Sequence, residues 1–172
     1  MPSEIRKERV YQYPPEVVWV ALTDPRAIAE WLMPNTFKAE VGHKFKFMTD
    51  PHMFCSDAGT DCEVLELEPP RRMVWSWRMT DKKGCQYPPL RITWELEPTG
   101  AGATRLRFTQ SGMTGQKRIA MFMMNMGWGY MVKRLIPKVL ANCQADGGFA
   151  PGAIPLEKRC YKVKTVPEEF VR

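Results

Sequence analysis

Two groups of residues in this 172-residue sequence have types and spacings that could do chemistry. The first is the stretch DPHMFCSDAGTDC, which brings His52, Cys55, Asp57, Asp61 and Cys62 close together. These are ligand types for zinc, but structural zinc sites use paired short spacings. Only His52 and Cys55 stand at such a spacing, so a polar loop is expected and no metal. A cysteine nucleophile needs a histidine to take its proton, and Cys55 beside His52 meets that need only loosely. Asp50, Asp57, Asp61 and Glu63 could act as general acids or bases. They fall at turns and strand edges, where carboxylates face water. No glycine-rich phosphate loop and no nucleophile elbow occurs. No catalytic residue and no cofactor is expected.

The second group offers desolvation rather than bond-making. Phe45, Phe47, Trp75, Trp77, Trp94, Phe108, Met121, Met124 and Trp128 could line an apolar cavity; an ordinary core is the other reading of each. Methionine favours the cavity, because it is flexible and polarizable and suits walls that adapt. A buried indole N–H also needs a partner, which a ligand oxygen or a water can supply. Gln110, near the end of an inward-facing pattern, is the candidate polar group of that cavity. His43, His52, Asp50 and Gln110 are the groups whose direction would separate an enzyme from a binding protein.

These residues sit on elements legible from periodicity. EIRKERVYQ reads as a first strand. YPPEVVWVALTD is helical, with Pro15 at the first position, where its missing N–H costs nothing, and Val17, Val18, Ala21 and Leu22 on one face. TDPRAIAEWLMP restarts the pattern: Asp24 caps, Pro25 leads and Pro34 stops a second short helix. The period then becomes two. Phe45 and Phe47 share a face, as do Met73, Trp75 and Trp77 opposite Val74 and Ser76. Leu90, Ile92, Trp94 and Leu96 point in, with Arg91, Thr93 and Glu95 out. After the turn TGAG, Leu106 and Phe108 point in, with Arg105 and Arg107 out. Strands joined by short turns imply an antiparallel meander with one wet face.

RIAMFMMNMGWGYMVKRLIPKVL, from Arg118 to Leu140, follows as one long helix. Met121, Met124, Trp128, Met131 and Leu135 recur at helical steps and should face the sheet, leaving Lys117, Lys133 and Lys138 wet. Gly127 and Gly129 each lower helix propensity by about 1 kcal/mol; close approach to the sheet would offset that. Pro137 is expected to kink the last turns. The expected architecture is α+β, with an antiparallel sheet of six to seven strands, two short helices after the first strand, and the long helix as its cover.

In this order the elements resemble the helix-grip fold of the START and birch-pollen-allergen superfamily (SRPBCC). More narrowly they resemble homologues of the Hsp 90 ATPase activator's C-terminal domain. The matching stretches are ERVYQYPPEVVWVALTDPRAIAEWLMP, VGHKFKF, EVLELEPPRRMVWSW, ITWELEPTGAGATRLRFTQSGM and MGWGYMVKRL; His43 stands where the family has a second glycine. The resemblance implies a curved sheet gripping the last helix. It covers about residues 4–142 and implies a fold more firmly than an activity. Relatives include co-chaperone domains, lipid carriers, hormone receptors and some cyclases or hydrolases.

The bulk properties bound the rest. The formal charge of +6 is spread among acidic neighbours without a long basic run, so no nucleic-acid partner is expected. No segment is long and apolar enough to span a bilayer, and the charged MPSEIRKERV, without an apolar run, is not expected to act as a secretory leader. Five cysteines without a CxxC pair fit a reduced, cytoplasmic setting. The expected partner is a small hydrophobic molecule, with a chaperone as the alternative. Residues 1–145 read as the domain and 146–172 as an extension. Tyr161, Val163, Val166 and Phe170 make that extension apolar enough to dock on its own domain or on a second copy's sheet edge, the latter giving a homodimer.

Overall fold

The computed structural model describes residues 4–50, 60–80, 86–114 and 118–159. Its frame is a six-stranded antiparallel sheet of β1 (Ile5–Tyr11), β2 (Lys44–Phe47), β3 (Thr60–Glu68), β4 (Arg72–Arg78), β5 (Leu90–Pro98) and β6 (Thr104–Ser111). The strand order is β1-β6-β5-β4-β3-β2. Five strands follow one another as a meander, and β1 closes the far edge on β6. The β5–β6 turn holds Gly100, Ala101 and Gly102 at positive φ, which the two glycines tolerate at little cost and Ala101 adopts between them.

α1 (Pro15–Thr23) and α2 (Pro25–Trp31) fill the excursion between β1 and β2. Pro15 leads α1, and the Asp24 carboxylate accepts from Arg26 N at 2.8 Å and Ala27 N at 3.4 Å, capping α2. Every residue of α2 from Ala27 to Trp31 is buried.

The long helix comprises α3 (Arg118–Tyr130), one π turn (Met131–Leu135) and α4 (Ile136–Leu140). Pro137 therefore acts a turn earlier than expected. A proline in a helix has no N–H, and its ring crowds the carbonyl four residues back. The backbone answers by widening: Ile136 N bonds Met131 O, an i→i+5 step. In that register Val132 O would look to residue 137, which has no N–H. The Tyr11 hydroxyl donates to Val132 O instead, at 2.7 Å. A β1 side chain thus completes the hydrogen bonding that the proline interrupts.

The inward register of the strands is as read from the period. Phe45, Phe47, Met73, Trp75, Leu90, Ile92, Trp94, Leu96, Leu106 and Phe108 all join the core. Trp77 is half-buried against it. Val74 departs from a simple wet outer face: it is fully buried, paired with Glu66 and Thr93 beyond a bulge at Val64/Glu66. Close approach to the sheet does not explain both glycines. A Cβ on Gly127 would meet nothing within 4 Å, and one on Gly129 would meet the Lys7 side chain at 3.6 Å.

Candidate ligand site between the sheet and the C-terminal helix

Cross-strand pairing lines up the inward side chains. Met73, Trp94 and Phe108 are successive partners on β4, β5 and β6; Trp75, Ile92 and Gln110 form the next row. The rings touch in one continuous series. Centroid separations are 5.4 Å for Phe45–Phe47, 5.7 Å for Phe47–Trp75, 5.7 Å for Trp75–Trp94 and 4.8 Å for Trp94–Phe108. α3 enters through Trp128, 4.4 Å from Phe108 and 5.9 Å from Trp94. Trp77 bridges Phe47 at 5.0 Å to Trp128 at 5.8 Å. Met121 and Met124 are partly buried against the same cluster.

Gln110 is the polar member. It is 2% exposed, because it continues the alternation of Leu106 and Phe108 and pairs with Ile5 and Ile92. Its Oε1 accepts from Trp128 Nε1 at 2.6 Å. Its Nε2 faces two weak acceptors, Met113 Sδ at 3.2 Å and Met124 Sδ at 3.4 Å. Sequence reasoning passed over Met113, which the positive φ of Gly112 places just past the strand end. It also passed over Trp31 and Phe37 as neighbours of the site. Trp31 meets Trp94 edge-on at 5.6 Å, and Phe37 lies 5.1 Å from Phe45. No periodic signal marks Trp31, since α2 has no wet side near it.

The indole N–H groups divide into two kinds. Trp31 Nε1 donates to Ala21 O at 2.8 Å, and Trp128 is satisfied by Gln110. Trp75 Nε1 and Trp94 Nε1 are buried without a hydrogen-bond partner among the described residues. A buried donor left unpaired costs about 1–3 kcal/mol, so two in one nest are a feature to be explained.

Acid–base and thiol chemistry has less support here. His43 is partly exposed, with Nε2 2.8 Å from Thr36 O. Asp61 and Cys62 point to opposite sides of β3: Asp61 is exposed and 3.3 Å from Lys46, while Cys62 is buried. Burial, then the Asp61 charge, pushes the Cys62 thiol well above its ordinary value. Burial, with Asp24 and Glu30, pushes Cys143 up to about 12. Thiols held so high are not nucleophiles at neutral pH. His52, Cys55 and Asp57 lie outside the described residues. Among the described residues no His, Cys, Asp or Glu cluster could hold a metal ion.

An open cleft of about 510 Å³ lies elsewhere, at the β1–β6 edge. Glu4, Arg6, Glu8 and Arg107 line it and pair among themselves, with Arg6–Glu4 at 2.7 Å and Arg107–Glu8 at 3.1 Å. Its ionic lining does not suit an apolar guest.

Residues 12–140 match the sequence profile described as Activator of Hsp90 ATPase homolog 1-like protein. The chain belongs to this family. Among solved structures, protein MLL2253 from Mesorhizobium loti is 36% identical, with 77% of this chain and 93% of that one covered and a TM-score of 0.67. Protein CV1439 from Chromobacterium violaceum is 29% identical over 81% of this chain and 98% of that one, with a TM-score of 0.60. PFC0360w, an HSP90 activator from Plasmodium falciparum, is 20% identical over 73% and 87% of the two chains, with a TM-score of 0.59. At that identity the likeness shows the fold alone. A search among curated proteins found no match. Membership in the activator-homologue family thus accounts for the architecture, including the long helix laid against the sheet.

Proposed function

We propose that this activator-homologue chain binds a small apolar or amphipathic molecule between the sheet and the C-terminal helix. What supports the reading is the pair of buried donors without a partner among the described residues, Trp75 Nε1 and Trp94 Nε1, in a wall built mostly of apolar side chains. A guest with an acceptor oxygen would satisfy them, and apolar burial would contribute about 25 cal/mol per Å². Gln110 adds a carboxamide whose N–H groups meet only sulfur in the contacts described, so a second polar atom of the guest has a donor to find. The site residues named among the described ones are otherwise uncharged, which favours a neutral or weakly polar guest.

Titration with oleic acid and with flavone, followed by tryptophan emission, tests this. Saturable quenching is expected, and Trp128→Ala should change the affinity while the fold survives. Full native-state oxidation of Met121 and Met124 would mean that no closed site exists there and would sink the proposal. Native mass spectrometry of protein purified from its own host would then weigh the guest.

Family membership supports a second reading, association with an Hsp 90-type chaperone. A pull-down with the host's chaperone, repeated after changing charged surface residues, separates it from the binding reading. A cyclase- or hydrolase-type activity would use the same interior, where Gln110 is a buried polar group among the described residues.

A further inference from the structure

α3 is apolar on both sides. Its inward side carries Met121, Met124 and Trp128. Its outward side carries Ile119, Phe122, Met123, Met126 and Tyr130, between 47% and 63% exposed. These five recur at helical steps and form one row, about 16 Å long at 1.5 Å per residue. Burial of the inward face accounts for the first set and does nothing for the second. An exposed contiguous apolar face of this kind marks an interaction site.

Charge selects the occupant. Lys133 and Arg134, both exposed, follow Tyr130 by three and four residues and prolong the row at its C-terminal end; Arg118 is exposed at its start. From Gly112 to Ala145 the sequence has no aspartate or glutamate, and it has Lys117, Arg118, Lys133, Arg134 and Lys138. The neighbouring strand adds to this sign. Lys7 of β1 donates to Asn125 Oδ1 of α3 at 2.7 Å, and burial together with the Lys133 charge holds its ammonium below the usual lysine range. A second copy would set these cations against themselves. The chain's own residues 160–172 carry Lys162, Lys164 and Arg172 against Glu168 and Glu169, so they too lack the complementary sign. The face calls for something both apolar and anionic.

We propose that the outward face of α3 docks on an anionic lipid surface. The row lies in the plane of the interface, with its side chains sunk about 5–10 Å into the headgroup–acyl boundary. Arg118, Lys133 and Arg134 meet the headgroups. The inward face keeps its contacts with the sheet, so docking requires no unfolding. The proposal is independent of what the interior binds.

Flotation of the full-length protein with vesicles is the test. Binding is expected to vesicles of phosphatidylcholine with about one-third phosphatidylserine, and it should weaken with added salt. Pure phosphatidylcholine should bind poorly. Phe122→Ser with Met126→Ser should weaken binding about tenfold or more. Lys133→Gln with Arg134→Gln should weaken it by about tenfold or more as well. All four side chains are exposed, so melting temperatures should hold. Arg105→Gln with Arg107→Gln, on the outer face of the sheet, should leave binding intact. The proposal is overturned if anionic vesicles do not bind, if the α3 variants bind like the parent, or if the sheet variant weakens binding equally. It is overturned as well if sedimentation without lipid reveals a dimer that the Phe122 and Met126 changes dissolve. That face would then be a protein interface.

Discussion

Tyr11 shows how one side chain can repair another residue's defect. Its hydroxyl satisfies the Val132 carbonyl that the missing Pro137 N–H leaves open. Tyr11→Phe should cost about 1–3 kcal/mol, since the carbonyl stays buried without a donor. Burial, with Arg9 opposing more weakly, holds the phenol's pKa above the ordinary 10.0. The sign follows from linkage. The folded state keeps the proton where the unfolded state loses it, so this contribution is complete below about 10 and declines as the pH rises further. Urea denaturation of parent and Tyr11→Phe at neutral and alkaline pH checks both parts. Equal alkaline slopes for the two proteins would contradict the assignment. The partnership was not legible beforehand: Tyr11 reads as one more residue of the first strand, and Val132 as one more helical one. Gln110 was legible in part: its phase with Leu106 and Phe108 pointed inward, its place at the strand end left water as the other choice, and its burial decides for the core.

At the scale of elements, α3 holds two glycines that its packing does not require. Gly127→Ala places a methyl in open space, and Gly129→Ala places one at ordinary contact distance from Lys7. Each should raise stability by about 1 kcal/mol through helix propensity and a less disordered unfolded chain. Denaturation midpoints and helical circular dichroism measure it. A fall in either would mean that the folded helix uses a conformation alanine refuses. The strands were legible because period two separates wet from dry without ambiguity. α2 was legible by its cap and prolines but not by its faces, since its last five residues are all buried. The π turn lay beyond periodicity. It is a response of the backbone to Pro137 once both flanking segments are packed.

Across the whole molecule, one buried carboxylate joins distant parts of the chain. Glu30 of α2 accepts from Gly152 N at 2.6 Å and Ile154 N at 2.7 Å, and Arg159 Nη2 lies 3.6 Å away. Phe149 and Ile154 are buried, and the Arg26 guanidinium stands 5.8 Å from the Phe149 ring centre. Glu30→Ala should cost about 1–3 kcal/mol by leaving these donors unpaired. It should also speed tryptic cleavage after Lys158 and Arg159 in the native protein. Unchanged digestion would show that Glu30 does not hold this segment.

The α+β class, the order of elements, the inward set of strand residues and the inward row of α3 were all determined by the sequence itself. Each rests on local periodicity, capping or turn chemistry, which need no distant partner. Only the tertiary structure decided which indoles find acceptors. Trp31 reaches a carbonyl ten residues back and Trp128 reaches Gln110, while Trp75 and Trp94 reach none among the described residues. It also decided that the second apolar row of α3 stays outside. A sheet has one face to offer, so it covers one side of a helix and leaves the other to solvent or to something else.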